Sequence, residues 1–280
     1  MLKTPALRRY ESNQTNINDQ LCYYLFADKE VEQHLSAKTD LVDEKYTTEV
    51  FTTNNYAERL HVKISALGDF RKKSFHTFCG ITLISSIEYL LSYVDDIQEF
   101  RSRIEPSVTD KESDEKPEIQ LEIKLKSWID SDEIKGLIKT IKYLRLRRNH
   151  IAHVRSSLSD DLKALIKNDS NYLNKYWGKK KTNIYEFDFS NINMSEFGET
   201  DILAIVNLSG VCMKIIDELV IQSIDTDNIV KYEVIRFNEK LGKTQLPSRK
   251  KVSKFNGYLA SNYGMLPISE EEYVKYVGEA

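Results

Sequence analysis

Apolar residues recur at steps of three and four along three long stretches of the chain, and these stretches predict its main helices. The first runs from about Tyr56 to Phe100, where Leu83, Ile87, Leu90, Val94 and Ile97 form one stripe. The second runs from Glu133 to Val154 behind Ser131 and Asp132, whose side-chain oxygens suit the orphan amides of a helix start. Along it Ile134, Leu137, Ile138, Ile141, Leu144 and Ala152 share a face. The third runs from about Asp201 to Ile224, with Ile205, Leu208, Val211, Ile215 and Leu219 on one side. A shorter helix is expected from Ser159-Asp160-Asp161 through Lys167.

Between these stretches the pattern changes. Residues 1–54 are polar, rich in Asn and Thr and poor in periodic apolar positions, which predicts an extension with one short strand at Lys45 to Thr53. Pro106 to Pro117 is charged and bracketed by prolines, as an exposed connection would be. Tyr176 to Asp188 interrupts the helical pattern, and Tyr185, Phe187 and Phe189 alternate like a brief strand. Residues 226–280 are mixed, with a strand-like Lys231 to Phe237 and a basic stretch, Ser248 to Phe255. The expected fold is mainly α: a bundle of four or five main helices over residues 55–225, with minor β structure in an N-terminal extension (1–54) and a C-terminal one (226–280).

A hydrophobic share of 41% with 30% charged residues excludes a disordered chain. The net charge of −3 supplies no global attraction to nucleic acid or anionic lipid, so any RNA contact must come from a local patch. Cys22, Cys79 and Cys212 are odd in number and lack metal-ligand spacing, which argues against a disulfide framework or a zinc site and for a reducing, cytoplasmic compartment. The N-terminus has no apolar core of signal-peptide length. The most apolar run, Phe75 to Val94, is interrupted by His76, Cys79, Gly80, Ser85, Ser86 and Glu88, which fits a buried helix better than a membrane span, and no membrane association is expected.

The chemistry gathers on the second helix. Arg148 falls on its apolar stripe, with Arg145 on the same side. A guanidinium keeps its proton, so a core-facing one needs a carboxylate or a phosphate. Glu88 sits between Ile84 and Leu91 in the most apolar helix and poses the mirror-image problem. The simplest solution pairs Glu88 with Arg145 or Arg148, and a separation beyond roughly 6 Å from both would break it. The segment Arg148-Asn149-His150-Ile151-Ala152-His153 adds groups that can move protons near neutral pH.

This segment resembles the catalytic motif of the HEPN-domain ribonucleases, a toxin and phage-defence family: an arginine, a polar residue, three more, then histidine, late on a bundle helix. The glutamate in SIEYLL around Glu88 is similar to one in that family, and the outline match covers about Tyr56 to Ile224. An arginine five residues before a histidine occurs three times, at Arg71/His76, Arg145/His150 and Arg148/His153. The third is favoured by Asn149, by the small Ala152 and by its place at the helix end, with Arg147/His153 as a register alternative. The resemblance implies Arg148, His153, Asn149 and Glu88 in catalysis, Arg145, Arg147 and His150 against substrate, and no cofactor or metal.

Five helical residues turn by about 500°, so His153 lies roughly 140° from Arg148. Convergence then requires a long side chain reaching round, a helix ending near His153, or a second copy. Cleavage by the RNA 2′-hydroxyl requires both a base and an acid, which two copies of His153 can divide while two copies of Arg148 meet the phosphorane. The resemblance implies that dimeric site, RNA as substrate, and an antitoxin or another defence-system protein as a further partner. The bland account is a structural ion pair beside a solvent-facing imidazole in a catalytically silent helical module that binds a protein or nucleic acid. Lys179-Lys180-Lys181 and Arg249 to Lys254 suit RNA phosphates and solvated turns equally well. Gly242-Lys243-Thr244 lacks the earlier glycine of a phosphate loop, where Phe237 stands, and Glu122-Ile123-Lys124 after Asp114 only faintly echoes a metal-dependent nuclease.

Overall fold

A computed structural model describes residues 2–36, 43–106, 116–129, 131, 133–153, 157–180, 187–191, 198–241 and 248–278. Eleven α-helices are found among them: α1 (Pro5–Ser36), α2 (Thr47–Val50), α3 (Ala57–Leu60), α4 (Leu67–Ile104), α5 (Pro117–Trp128), α6 (Glu133–Ala152), α7 (Asp160–Lys179), α8 (Glu199–Gln222), α9 (Thr226–Leu241), α10 (Ser248–Tyr263) and α11 (Glu270–Gly278). The mainly α bundle expected from periodicity is the fold, but the minor β structure is missing among the described residues, where only an isolated Tyr46–Lys63 bridge is found.

The centre of the bundle is α4, whose Leu83, Ile87, Leu90, Val94 and Ile97 are fully buried at the predicted three-and-four spacing. It packs most extensively on α8 and α1, and also on α6 and α5. By length and composition Ile64–Ile104 is the one stretch among the described residues that could cross a membrane, and half of its most apolar window is buried inside the bundle. On α8, Ile205, Leu208, Cys212, Ile216 and Leu219 close the core from the other side.

The N-terminal segment departs from the reading as a polar extension. Helix α1 places Leu7, Tyr10 and Leu21 in the same apolar cluster as α4 and α8. Its buried stripe continues through Gln14, whose Nε2 donates to the Ser86 carbonyl at 3.0 Å while its Oε1 accepts from the Ser86 hydroxyl at 3.0 Å. A polar residue at a core position hid the period, and these two bonds make its burial tolerable. Asp217 on α8 binds the start of the chain, accepting from the Thr4 amide at 3.1 Å, the Thr4 hydroxyl, and the Tyr93 hydroxyl at 3.0 Å. Burial raises the Asp217 carboxyl above the ordinary carboxylate range, against the pull of those donors.

Of the three strand-like segments, one lies wholly inside a helix and another forms a single helical turn. Within Lys45 to Thr53 the chain forms the single turn α2, because a lone β-branched run has no partner strand to bond with. Lys231 to Phe237 lies inside α9, where Glu233 and Val234 are buried and the Phe237 ring meets Phe255 at 5.3 Å. Tertiary packing overrides β propensity there. Helix α7 continues past Lys167 to Lys179, and Trp177 donates from Nε1 to the Thr140 hydroxyl at 2.8 Å. Phe187 and Phe189 lie outside any strand, with Phe189 buried against the Tyr143 ring at 4.9 Å, and the expected strand residue Tyr185 falls outside the described residues. Most of the Pro106–Pro117 connection also falls outside them, and Pro117 opens α5 at a first-turn position where its missing amide hydrogen is not needed.

Candidate active site

Helix α6 carries the candidate residues. Its start follows the predicted chemistry, with the Ser131 hydroxyl accepting from the Glu133 amide at 3.2 Å, while Asp132 lies outside the described residues. Ile134, Leu137, Ile138, Ile141 and Leu144 are buried as the stripe requires. At Gly136 the Tyr176 ring lies so close that a β-carbon would overlap it, which clamps the first half of α6 to α7. Gly80 on α4 plays a gentler part at the other end, where its missing side chain lets Ile151 rest against α4.

The three arginines of α6 have separate fates. Arg145 forks onto Glu118 of α5, with Nε to Oε2 at 2.8 Å and Nη2 to Oε1 at 2.7 Å, in a nearly buried pair. That fork is occupied, so Arg145 is not free to bind substrate as the sequence reading had it. Arg147 is only 1% exposed; its Nε donates to the Tyr143 hydroxyl at 2.8 Å, its Nη2 to the Asn191 carbonyl at 3.1 Å, and its guanidinium lies 5.0 Å from the Tyr143 ring centre. Burial pushes its pKa down, and its surroundings are those of a core residue, not a substrate contact or the register alternative to Arg148.

Arg148 is the arginine that meets Glu88. The Arg148 Nη2 and Glu88 Oε1 form an ion pair, and Nη1 donates to the Asn149 side-chain oxygen at 2.9 Å. The expected partnership across the bundle is therefore made, with one correction to its setting. The side chains are 30% and 41% exposed, so the pair sits at the surface and not in the core. The arginine's Nε is itself buried and has no hydrogen-bond partner among the described residues.

His153 lies just beyond the last residue of α6. Its amide still bonds to the Asn149 carbonyl at 3.2 Å, continuing the last turn, and its side chain is exposed. Helix α6 thus ends next to His153, as one of the three routes to convergence requires. Asn149 thus touches both halves of the motif, through its side chain to Arg148 and its backbone to His153. His150 is half-buried on the same turn. Among the described residues no group of three or more His, Cys, Asp and Glu gathers as a metal site would.

The Arg71–His76 pair at the same spacing is built differently. Arg71 forks onto Asp28 at 2.9 and 2.8 Å with Glu32 at 3.4 Å, and with His76 it lines a polar cavity of about 460 Å³ between α1, α4 and the start of α8. Sequence reasoning missed Glu118 as the partner of Arg145. The signal was present, since Glu118, Leu121 and Leu125 fall on one helical stripe directly after Pro117. No signal pointed to Asn191 beside Arg147. In comparisons with known proteins, no protein-family model, no curated protein and no solved structure matches this chain.

Proposed function

We propose that the protein is a metal-independent endoribonuclease of the HEPN type, acting as a homodimer in a toxin or antiviral defence setting. Arg148 stabilises the negative phosphorane, Glu88 and Asn149 hold its guanidinium in place, and two copies of His153 divide the base and acid roles. The 2′-hydroxyl oxygen attacks phosphorus as one imidazole takes its proton. The 5′-oxygen leaves with a proton from the other, giving a 2′,3′-cyclic phosphate and a 5′-hydroxyl. An antitoxin or another defence-system protein restrains or triggers it.

The observation that carries this reading is the chain of contacts from Glu88 through Arg148 to Asn149 at a helix end, with the exposed His153 in the turn that follows. The test is incubation of the purified protein with RNA in EDTA, together with Arg148→Ala and His153→Ala. Cleavage by the wild type should fall by about 10²–10³-fold for the arginine and about 10²–10⁴-fold for the histidine. Cleavage that survives both changes refutes the site, cleavage abolished by EDTA points to a metal nuclease, and no cleavage at all favours the silent binding module.

A further inference from the structure

The C-terminal helices carry a concentration of positive charge, most of it without an ion-pair partner among the described residues. Arg236 and Lys240 lie one turn apart on α9, and Arg249, Lys250, Lys251 and Lys254 lie on the first half of α10. Glu233 meets Tyr258 and Tyr263, and Phe237 meets Phe255 and Tyr258, so advancing along α9 means retreating along α10. The two helices are therefore antiparallel, and the end of α9 shares one end of the pair with the start of α10. Lys240 and the four cations of α10 have no ion-pair partner among the described residues. Three of those cations stand in the first turn of α10, where the helix dipole disfavours positive charge and where no acidic residue offsets it.

At this end a cavity of about 280 Å³ opens between Arg236, Phe237, Lys240, Leu241 and Tyr258, with Glu233 at its base. Its volume falls just below the range of sites for larger ligands. The Phe237 and Tyr258 rings, in contact at 5.9 Å and tilted by 44° to one another, are partly buried and form its apolar wall. Glu233 does not repel an anion here. Tyr258 and Tyr263 donate their hydroxyls to its two oxygens at 2.6 Å each, and Arg236 lies 3.4 Å from one of them. The carboxylate is neutralised and fixes the Tyr258 ring. Lys254 lies one helical turn before Tyr258 on the same face, so cations flank this aromatic wall from both helices.

We infer that the α9–α10 end is a binding site for single-stranded nucleic acid, one base resting in the cavity against Phe237 and Tyr258 while Lys240 and Lys254 hold the adjoining phosphates. Aromatic faces interleaved with cations accept any base, and a local patch of this kind provides what a net charge of −3 cannot. This inference does not rest on the nuclease reading. Its probe is a fluorescein-labelled oligothymidylate, which lacks the 2′-hydroxyl that the proposed cleavage needs, so binding is read without turnover. Fluorescence anisotropy should show saturable binding that weakens as salt rises. The Lys240→Glu, Lys254→Glu double variant should bind about ten-fold more weakly or worse, with a log–log salt slope shallower by about 1.4, at 0.7 per lost phosphate contact. Lys167→Glu on the exposed face of α7 should change neither, with thermal melting checking that all variants fold. Absent binding by the wild type at low salt, an equal loss with Lys167→Glu, or binding to anionic lipid vesicles in place of the oligonucleotide would overturn the assignment.

Discussion

Two arginine–glutamate pairs stand one turn apart on α6 and differ in what surrounds them. Arg145 and Glu118 are nearly buried and joined by two parallel bonds that occupy the fork. Arg148 and Glu88 are about one-third exposed and joined through one nitrogen, with Asn149 taking a second. The residue types are the same, so burial and geometry decide the role. A buried, fully bonded pair can only hold helices together, whereas a pair at the surface keeps donors that an incoming phosphate can reach. The first pair joins α6 to α5, and the second places a positive charge at the end of α6.

The sharpest break in this comparison comes from removing each arginine. Arg148→Ala should lower RNA cleavage by about 10²–10³-fold with an almost unchanged urea midpoint. Arg145→Ala should do the reverse in its first effect, shifting the midpoint because Glu118 is left buried and unpaired. Equal losses of activity and stability in both variants would erase the distinction.

Next in size, Glu118→Ala should reduce the unfolding free energy by about 3–5 kcal/mol, the range for breaking a buried pair by deleting one partner, read from urea unfolding at constant m-value. Glu88→Gln should change stability by less than about 1 kcal/mol, as surface pairs do, while slowing cleavage less than His153→Ala does. If Glu88→Gln destabilises as much as Glu118→Ala, the exposure difference carries no energetic meaning.

The smallest effect concerns the Arg71–Asp28 pair beside His76. Bonds from Arg71 hold the Asp28 carboxyl below its ordinary range. A lowered carboxylate contributes stability above the unfolded value of about 3.9 and loses it as pH falls through the lower folded value. Asp28→Asn should therefore weaken the protein at neutral pH and flatten its stability profile on the acid side below about pH 4, measured as melting temperature against pH. An unchanged acid limb would mean that the Arg71–Asp28 pair is decorative.

The helices that a simple apolar period can describe were legible. For α4, α6 and α8 the stripes through Leu83, Leu137 and Leu208 are the buried faces, although Val211 is only partly buried and the α6 stripe leaves the core by Arg148 and Ala152. The Glu88–Arg148 pair was legible too, because an ionised residue inside an apolar pattern demands a partner. Helix α1 was not, since Gln14 occupies a core position of its period and becomes tolerable only through Ser86, which is 72 residues away. The same holds for α9, where β-branched residues favour a strand until Tyr258 and Tyr263 meet Glu233.

Among the arginines, the chain alone determined that positively charged side chains lie on and beside the apolar face of one helix, with histidines at its end. Only the folded packing decided that Arg147 enters the core, that Arg145 is spent on Glu118 and that Arg148 stays within reach of solvent. Periodicity is a property of neighbouring residues and reports a helix face to within a residue or so. The environment of a charge depends on groups brought from distant elements, and no local spacing encodes which of them arrive.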